Sequence, residues 1–184
     1  MTYNASDAPL NRFDKKSRAR GLHNMLYRCA DCGALYTTKS RDNELYCTAC
    51  GKSHHLDEYC RFTDEIGSIP GYCDRIKALE RETLDSVHLR AEADVKIFSD
   101  KKPHVRREKG VCTLSKDAFT YHSDKTDFSI PTERIPALAF SCGSEFELYY
   151  QGEQYYFYPT DNGQQTARWS LLIDLFREER ISRE

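Results

Sequence analysis

Apolar and polar residues alternate with a period of two over 93–98, and short runs of strand-like composition follow at 110–114, 118–121, 127–130, 135–140, 146–150 and 154–158. Successive side chains of a strand point to opposite faces, so this pattern predicts half-buried strands. Turn-forming residues separate the runs, and Gln151-Gly152 joins the last two as a hairpin. About seven short strands so spaced predict an antiparallel sheet that curls into a barrel or sandwich. Two stretches carry a helical period instead. Over 71–88, Tyr72, Ile76, Leu79, Thr83 and Val87 share one narrow face, and Pro70 suits the first turn. After the loop Asp161-Asn162-Gly163, Thr166 can cap a last helix. Its apolar face is Trp169, Leu172, Ile173 and Phe176, and Arg177 and Arg180 sit near its end, where cations suit the helix dipole.

These elements predict an α+β chain, mainly antiparallel β. Residues 1–26 read as a basic flexible leader, 27–65 as a metal module, 66–90 as a linker helix, and 91–184 as an antiparallel β domain with a capping C-terminal helix. About seven antiparallel strands followed by one amphipathic helix is the element order of a pleckstrin-homology-like domain, whose helix plugs one open end of the strand barrel. The aromatic run Tyr149, Tyr150, Tyr155, Tyr156, Phe157 and Tyr158 could stack bases or meet a membrane interface. The simpler reading is a hairpin with aromatic pairs across its strands.

The metal module rests on two cysteine knuckles, Cys29-Ala30-Asp31-Cys32-Gly33 and Cys47-Thr48-Ala49-Cys50-Gly51, separated by fourteen residues. Zinc takes four ligands in a tetrahedron, and thiolate sulfur suits it. Two residues between cysteines let one tight turn deliver both sulfurs to one ion, and glycine after the second tolerates positive φ. The spacing predicts a rubredoxin-like zinc ribbon with Cys29, Cys32, Cys47 and Cys50 as ligands of a structural Zn(2+). Between the knuckles, 35–38 and 44–46 are strand-like and 40–43 turn-like, and 53–62 reads as a third strand and its return. His54 and His55 follow closely, but four thiolates already complete the shell, so both read as ordinary strand residues. Cys60, Cys73, Cys112 and Cys142 form no second pair at ligand spacing.

Length and composition narrow the picture. At 184 residues, one moderate domain plus a small metal module is the natural count. Hydrophobic content of 39% and charged content of 30% indicate a globular chain. No apolar run approaches the roughly 20 residues of a membrane span. Residues 1–10 hold no apolar signal core, and with no disulfide framework this places the chain, as an expectation, in a reducing cytoplasm. The net charge of -2 exerts no global pull on nucleic acid or anionic lipid. The stretch 11–28 is different: Arg12, Lys15, Lys16, Arg18, Arg20 and Arg28 face a single acid, Asp14. It could meet phosphate of nucleic acid or of lipid headgroups. Its simpler reading is a solvated arm.

No glycine-rich phosphate loop or Gly-x-Ser-x-Gly elbow is present. His122 and Asp127 match the His-x4-Asp spacing with which glycerolipid acyltransferases position a general base. The match lies in a turn-rich segment between two predicted strands, follows Tyr121, and has no glycine- and arginine-containing phosphate motif after it, so it reads as coincidence. A catalytic zinc would need an open position, which four thiolates close.

The run from Arg18 through Gly21, Leu22, His23, Leu26, Tyr27 and Arg28 into the first knuckle resembles the segment after the catalytic domain in bacterial lysophospholipid (1-acyl-sn-glycerol-3-phosphate) acyltransferases that carry a C-terminal extension. So do Leu45-Tyr46-Cys47-Thr48-Ala49-Cys50-Gly51-Lys52 and Leu56-Asp57-Glu58-Tyr59. Ile69-Pro70, the helix after it and Tyr156-Phe157-Tyr158-Pro159 follow in the order of that extension. The likeness spans roughly residues 12 to 180, specific at the knuckles and loose in the β region. It implies a noncatalytic zinc-ribbon accessory or interaction module, structural or regulatory, working beside an acyltransferase catalytic domain in phospholipid biosynthesis. It implies the four cysteines as metal ligands and carries over no catalytic residue. The basic leader would lie near an anionic membrane, at the inner face. The alternative is a zinc-ribbon nucleic-acid-binding or transcription-related protein, favoured by the basic leader and opposed by a pI near 6.3.

Overall fold

The computed structural model describes residues 12–99 and 102–181, and contacts divide the chain into two compact units, Met1–Ile76 and Lys77–Glu184. The first eleven residues of the leader lie outside the described residues.

In the first unit, β1 (Thr38–Arg41), β2 (Glu44–Cys47) and β3 (Ser53–His55) form an antiparallel sheet in that order. Arg41 pairs with Glu44, so the hairpin turn is Asp42-Asn43 alone, half the length expected from composition. Asp42 adopts φ 51°, a left-handed conformation that Asp and Asn tolerate and two-residue hairpins require. The strand expected at 35–38 begins only at Thr38, because Tyr36 turns the chain with φ 59°. Part of the expected leader is held by the ribbon unit. Phe13 N–H donates to the Glu58 carbonyl, Ala19 N–H donates to the Asp42 carbonyl, and Ala19 and Leu26 are fully buried. Residues 18–26 are thus packed into the ribbon unit, because a short apolar residue at 19 and a leucine at 26 are enough to seat an otherwise polar segment.

α1 (Ile69–Arg81) opens with Ser68, whose Oγ accepts the Gly71 N–H as a cap, and Pro70 occupies the first turn. The helix ends seven residues earlier than its apolar period suggested, and a 3-10 turn follows at Leu84–Ser86. Its buried stripe is Tyr72, Ile76 and Glu80, a carboxylate in the third place.

The second unit holds β4 (Leu89–Ser99), β5 (Lys102–Leu114), β6 (Ala118–Ser123), β7 (Asp127–Pro131), β8 (Ala139–Phe140), β9 (Phe146–Tyr150) and β10 (Glu153–Pro159). They make one antiparallel sheet in the order β7-β6-β5-β4-β10-β9-β8. The number of strands matches the sequence reading. The end strands β7 and β8 are not paired with each other among the described residues, so the sheet is an open, curled half-barrel, where the sequence suggested closure. The strand expected at 135–140 shrinks to β8. Pro136 has no N–H to donate, and Ile135 and Leu138 are buried from irregular backbone. Gln151 and Gly152 both have positive φ, the two-residue turn that the hairpin β9–β10 needs. α2 (Gln165–Ile181) buries Trp169, Leu172, Ile173 and Phe176 as read from its period. Thr166 lies inside the helix, while Asn162 Oδ1 accepts the Gln164 N–H just before its start. Trp169 stacks on Phe146 at 5.0 Å, and Phe146 stacks on Phe157 at the same distance, so the inward aromatics of the hairpin form the core.

Candidate metal centre

The two knuckles fold alike. In each, the first cysteine N–H donates to the carbonyl five residues on, and the glycine N–H returns to that cysteine's carbonyl. Gly33 and Gly51 have φ 72° and 74°, as the sequence required. The outcome is that Cys29, Cys32, Cys47 and Cys50 bring their four sulfurs within 4.8 Å of one another. Cys29 Sγ lies 3.8 Å from Cys50 Sγ, and Cys32 Sγ lies 3.8 Å from Cys47 Sγ. A tetrahedron with Zn–S bonds of about 2.3 Å sets its sulfurs roughly 3.8 Å apart, whereas a disulfide would need about 2.05 Å. The donor set therefore fits a tetrahedral thiophilic ion. The first cysteine of each knuckle is buried and the second exposed.

Two thiols differ in acidity. Burial pushes Cys29 up. Burial opposes ionisation of Cys47 as well, yet its thiol is pulled down, because the Thr37 hydroxyl and the N–H groups of Cys50 and Ala49 favour the thiolate. Thr37 Oγ1 lies 3.2 Å from Cys47 Sγ. Metal ligation replaces thiol protons, so the environment of Cys47 favours loading while the burial of Cys29 opposes it.

The sequence reading missed what surrounds the cluster. His54 is buried, at 2% exposure, whereas His55 is exposed. The two ring nitrogens of His54 meet Asp31 Oδ2 at 2.8 Å and Asp64 Oδ2 at 2.6 Å. Asp31 sits inside the first knuckle. Burial works against the charge on Asp64, but hydrogen bonds from His54 and the Ile66 N–H hold its carboxyl below the ordinary range. Tyr72 packs edge-on to His54 at 5.5 Å and accepts the Ala30 N–H at 3.1 Å. Strand period alone could have found His54: Leu56, just after β3, is buried, and position 54 faces the same way.

Other candidates fall elsewhere. His122 and Asp127 pair across β6 and β7 with 3.5 Å between Nδ1 and Oδ2, and both are about three-quarters exposed. They are cross-strand surface neighbours. Cys112 is fully buried, and burial pushes its thiol up to about 12. Of the basic stretch, Arg18 donates to the carbonyls of Phe13, Lys15 and Leu56, and Arg28 donates to Gly33. Those two arginines serve the backbone, while Lys15, Lys16 and Arg20 are exposed. Among the described residues no helix is long and apolar enough to cross a membrane.

No family model and no curated protein matches this sequence. Among solved structures, the chain is similar to the N-terminal PH domain of the human ARAP2 protein, at 11% identity and a TM-score of 0.39, over 50% of this chain and 81% of that one.

Proposed function

We propose that the chain is a noncatalytic accessory module of a glycerophospholipid acyltransferase, with Cys29, Cys32, Cys47 and Cys50 holding one structural zinc in a rubredoxin-like ribbon. The observation that carries the metal assignment is the four-sulfur cluster with its 3.8 Å edges. Four thiolates leave no open coordination position, so the ion supplies cross-linking and no Lewis-acid chemistry at this site. The acyltransferase context is supported by the likeness of residues 18–33 and 45–52 to the C-terminal extension of those enzymes. In this reading residues 91–184 act as a pleckstrin-homology-like interaction unit. Lys15, Lys16 and Arg20, exposed ahead of the ribbon, meet anionic headgroups at the inner face of the membrane, at about 1 kcal/mol per well-placed cation.

The purified chain should carry one zinc per molecule by elemental analysis, transfer no acyl group to lysophosphatidate, and float with anionic vesicles in preference to neutral ones. Measurable acyl transfer by the chain alone would overturn the accessory assignment. Salt-dependent binding to DNA or RNA, with a slope reporting several phosphates and no preference for anionic vesicles, would favour the nucleic-acid alternative.

A further inference from the structure

The first knuckle carries a carboxylate where the second carries a methyl group, since Asp31 and Ala49 occupy the same place in the two turns. Asp31 Oδ2 lies 3.9 Å from Cys29 Sγ. With a metal bound, Cys29 is a thiolate and has no proton to donate, so carboxylate and thiolate repel across that distance. The same carboxylate oxygen is 2.8 Å from His54 Nε2, and His54 Nδ1 is 2.6 Å from Asp64 Oδ2. Ionised carboxylates only accept hydrogen bonds. The ring therefore bridges the two carboxylates, one nitrogen on each. The ring itself is seated by packing: β3 places it opposite Leu45, and Phe62 and Tyr72 lie against it at 5.8 and 5.5 Å.

We infer that His54 is a positioning residue of the four-cysteine centre, clamping the first knuckle through Asp31 and anchoring it to the Asp64 loop. The inference rests on reading the cysteines as a zinc centre. His54 acts on the metal only through Asp31 and the knuckle backbone, as groups behind metal ligands commonly do. Tyr72 adds a second tether on the same knuckle through the Ala30 N–H. The second knuckle has a separate support, Thr37 beside Cys47. Loss of His54 should therefore loosen Cys29 and Cys32 and leave Cys47 and Cys50 as they were.

The test uses the full zinc-loaded chain, with affinity from chelator competition and cysteine alkylation by N-ethylmaleimide mapped by mass spectrometry. His54→Phe keeps the ring packing and removes both hydrogen bonds. The expected result is zinc binding weakened within the roughly 10- to 100-fold range that such groups usually control. Alkylation should quicken at Cys29 and Cys32 ahead of Cys47 and Cys50. A general loss of stability would quicken all four alike. If His54→Phe does not fold, Asp64→Asn, at a part-exposed carboxylate, reads the same clamp through the same order of alkylation. Affinity within about threefold of the parent, or alkylation without preference for the first knuckle, overturns the inference. A parent chain that binds no zinc fails at an earlier step and overturns the metal assignment itself.

Discussion

Two glycines show how one residue type answers different demands. Gly51 has φ 74°, and a Cβ built there meets nothing within 4 Å. Gly51→Ala should cost only the left-handed backbone penalty of about 1–2 kcal/mol. Zinc competition should read that as a loss of roughly tenfold in affinity. At Gly110 a Cβ would sit 2.5 Å from the His122 carbonyl oxygen and 2.6 Å from the Tyr121 ring. Gly110→Ala should destabilise the second unit by about 1–3 kcal/mol, the usual range for overpacking, as measured by urea unfolding, with zinc affinity unchanged. The first glycine was legible because its knuckle motif is local and occurs twice. The second was not, because its constraint comes from β6, whose register no short window of sequence reveals. His54 belongs with the second kind. Its partners Asp31 and Asp64 stand 23 and 10 residues away, and only folding sets them on its two nitrogens.

Among the elements, the helices carry ion pairs that their periodicity concealed. Glu80 is fully buried and faces Arg168 on α2 through two contacts of 3.1 Å. Removing one partner strands a buried charge, so Arg168→Met should cost about 3–5 kcal/mol by urea unfolding. The double variant Glu80→Leu with Arg168→Met should recover most of that loss, since an apolar pair of similar volume often replaces a buried ion pair without penalty. The exposed counterpart is Glu178, whose carboxylate meets Lys77 and Arg81 at 2.7 Å each. The hydrogen bond from Lys77, aided by Arg81 and against partial burial, holds its carboxyl below the ordinary value. A carboxyl depressed in the folded state contributes stability above its unfolded pKa and loses it as pH falls through the folded one. The melting-temperature gap between the parent and Glu178→Gln should therefore narrow as pH falls through and below the ordinary glutamate range. The gap itself should be small, because all three side chains are substantially exposed. The strands were legible wherever apolar residues alternate. The first half of β5 was not, because Arg106, Arg107, Glu108 and Lys109 are all charged there. Its strand conformation comes from pairing with β4, and Arg106 is tied to Glu153 at 2.8 Å.

At the scale of the molecule, the chain forms two compact units, and only the first contains the four-cysteine cluster. Strong chelation, or Cys47→Ser, should abolish hydrogen-exchange protection over residues 12–76 while the sheet residues 89–159 stay protected. Calorimetry should show one transition that moves with free zinc and one that does not. A single transition insensitive to chelation would count against a metal-held first unit. The sequence by itself determined the knuckles, the number of strands in the large sheet, the β9–β10 hairpin and the apolar face of α2. Each of these is written in spacings of a few residues, where local geometry and periodic burial act directly. Only the tertiary structure decided the open edge-to-edge order of the sheet, the burial of Glu80 against Arg168 and the Asp31–His54–Asp64 chain beside the cysteines. Those depend on residues far apart in the chain, and a charged or polar side chain carries no sign of its partner until packing brings the two together.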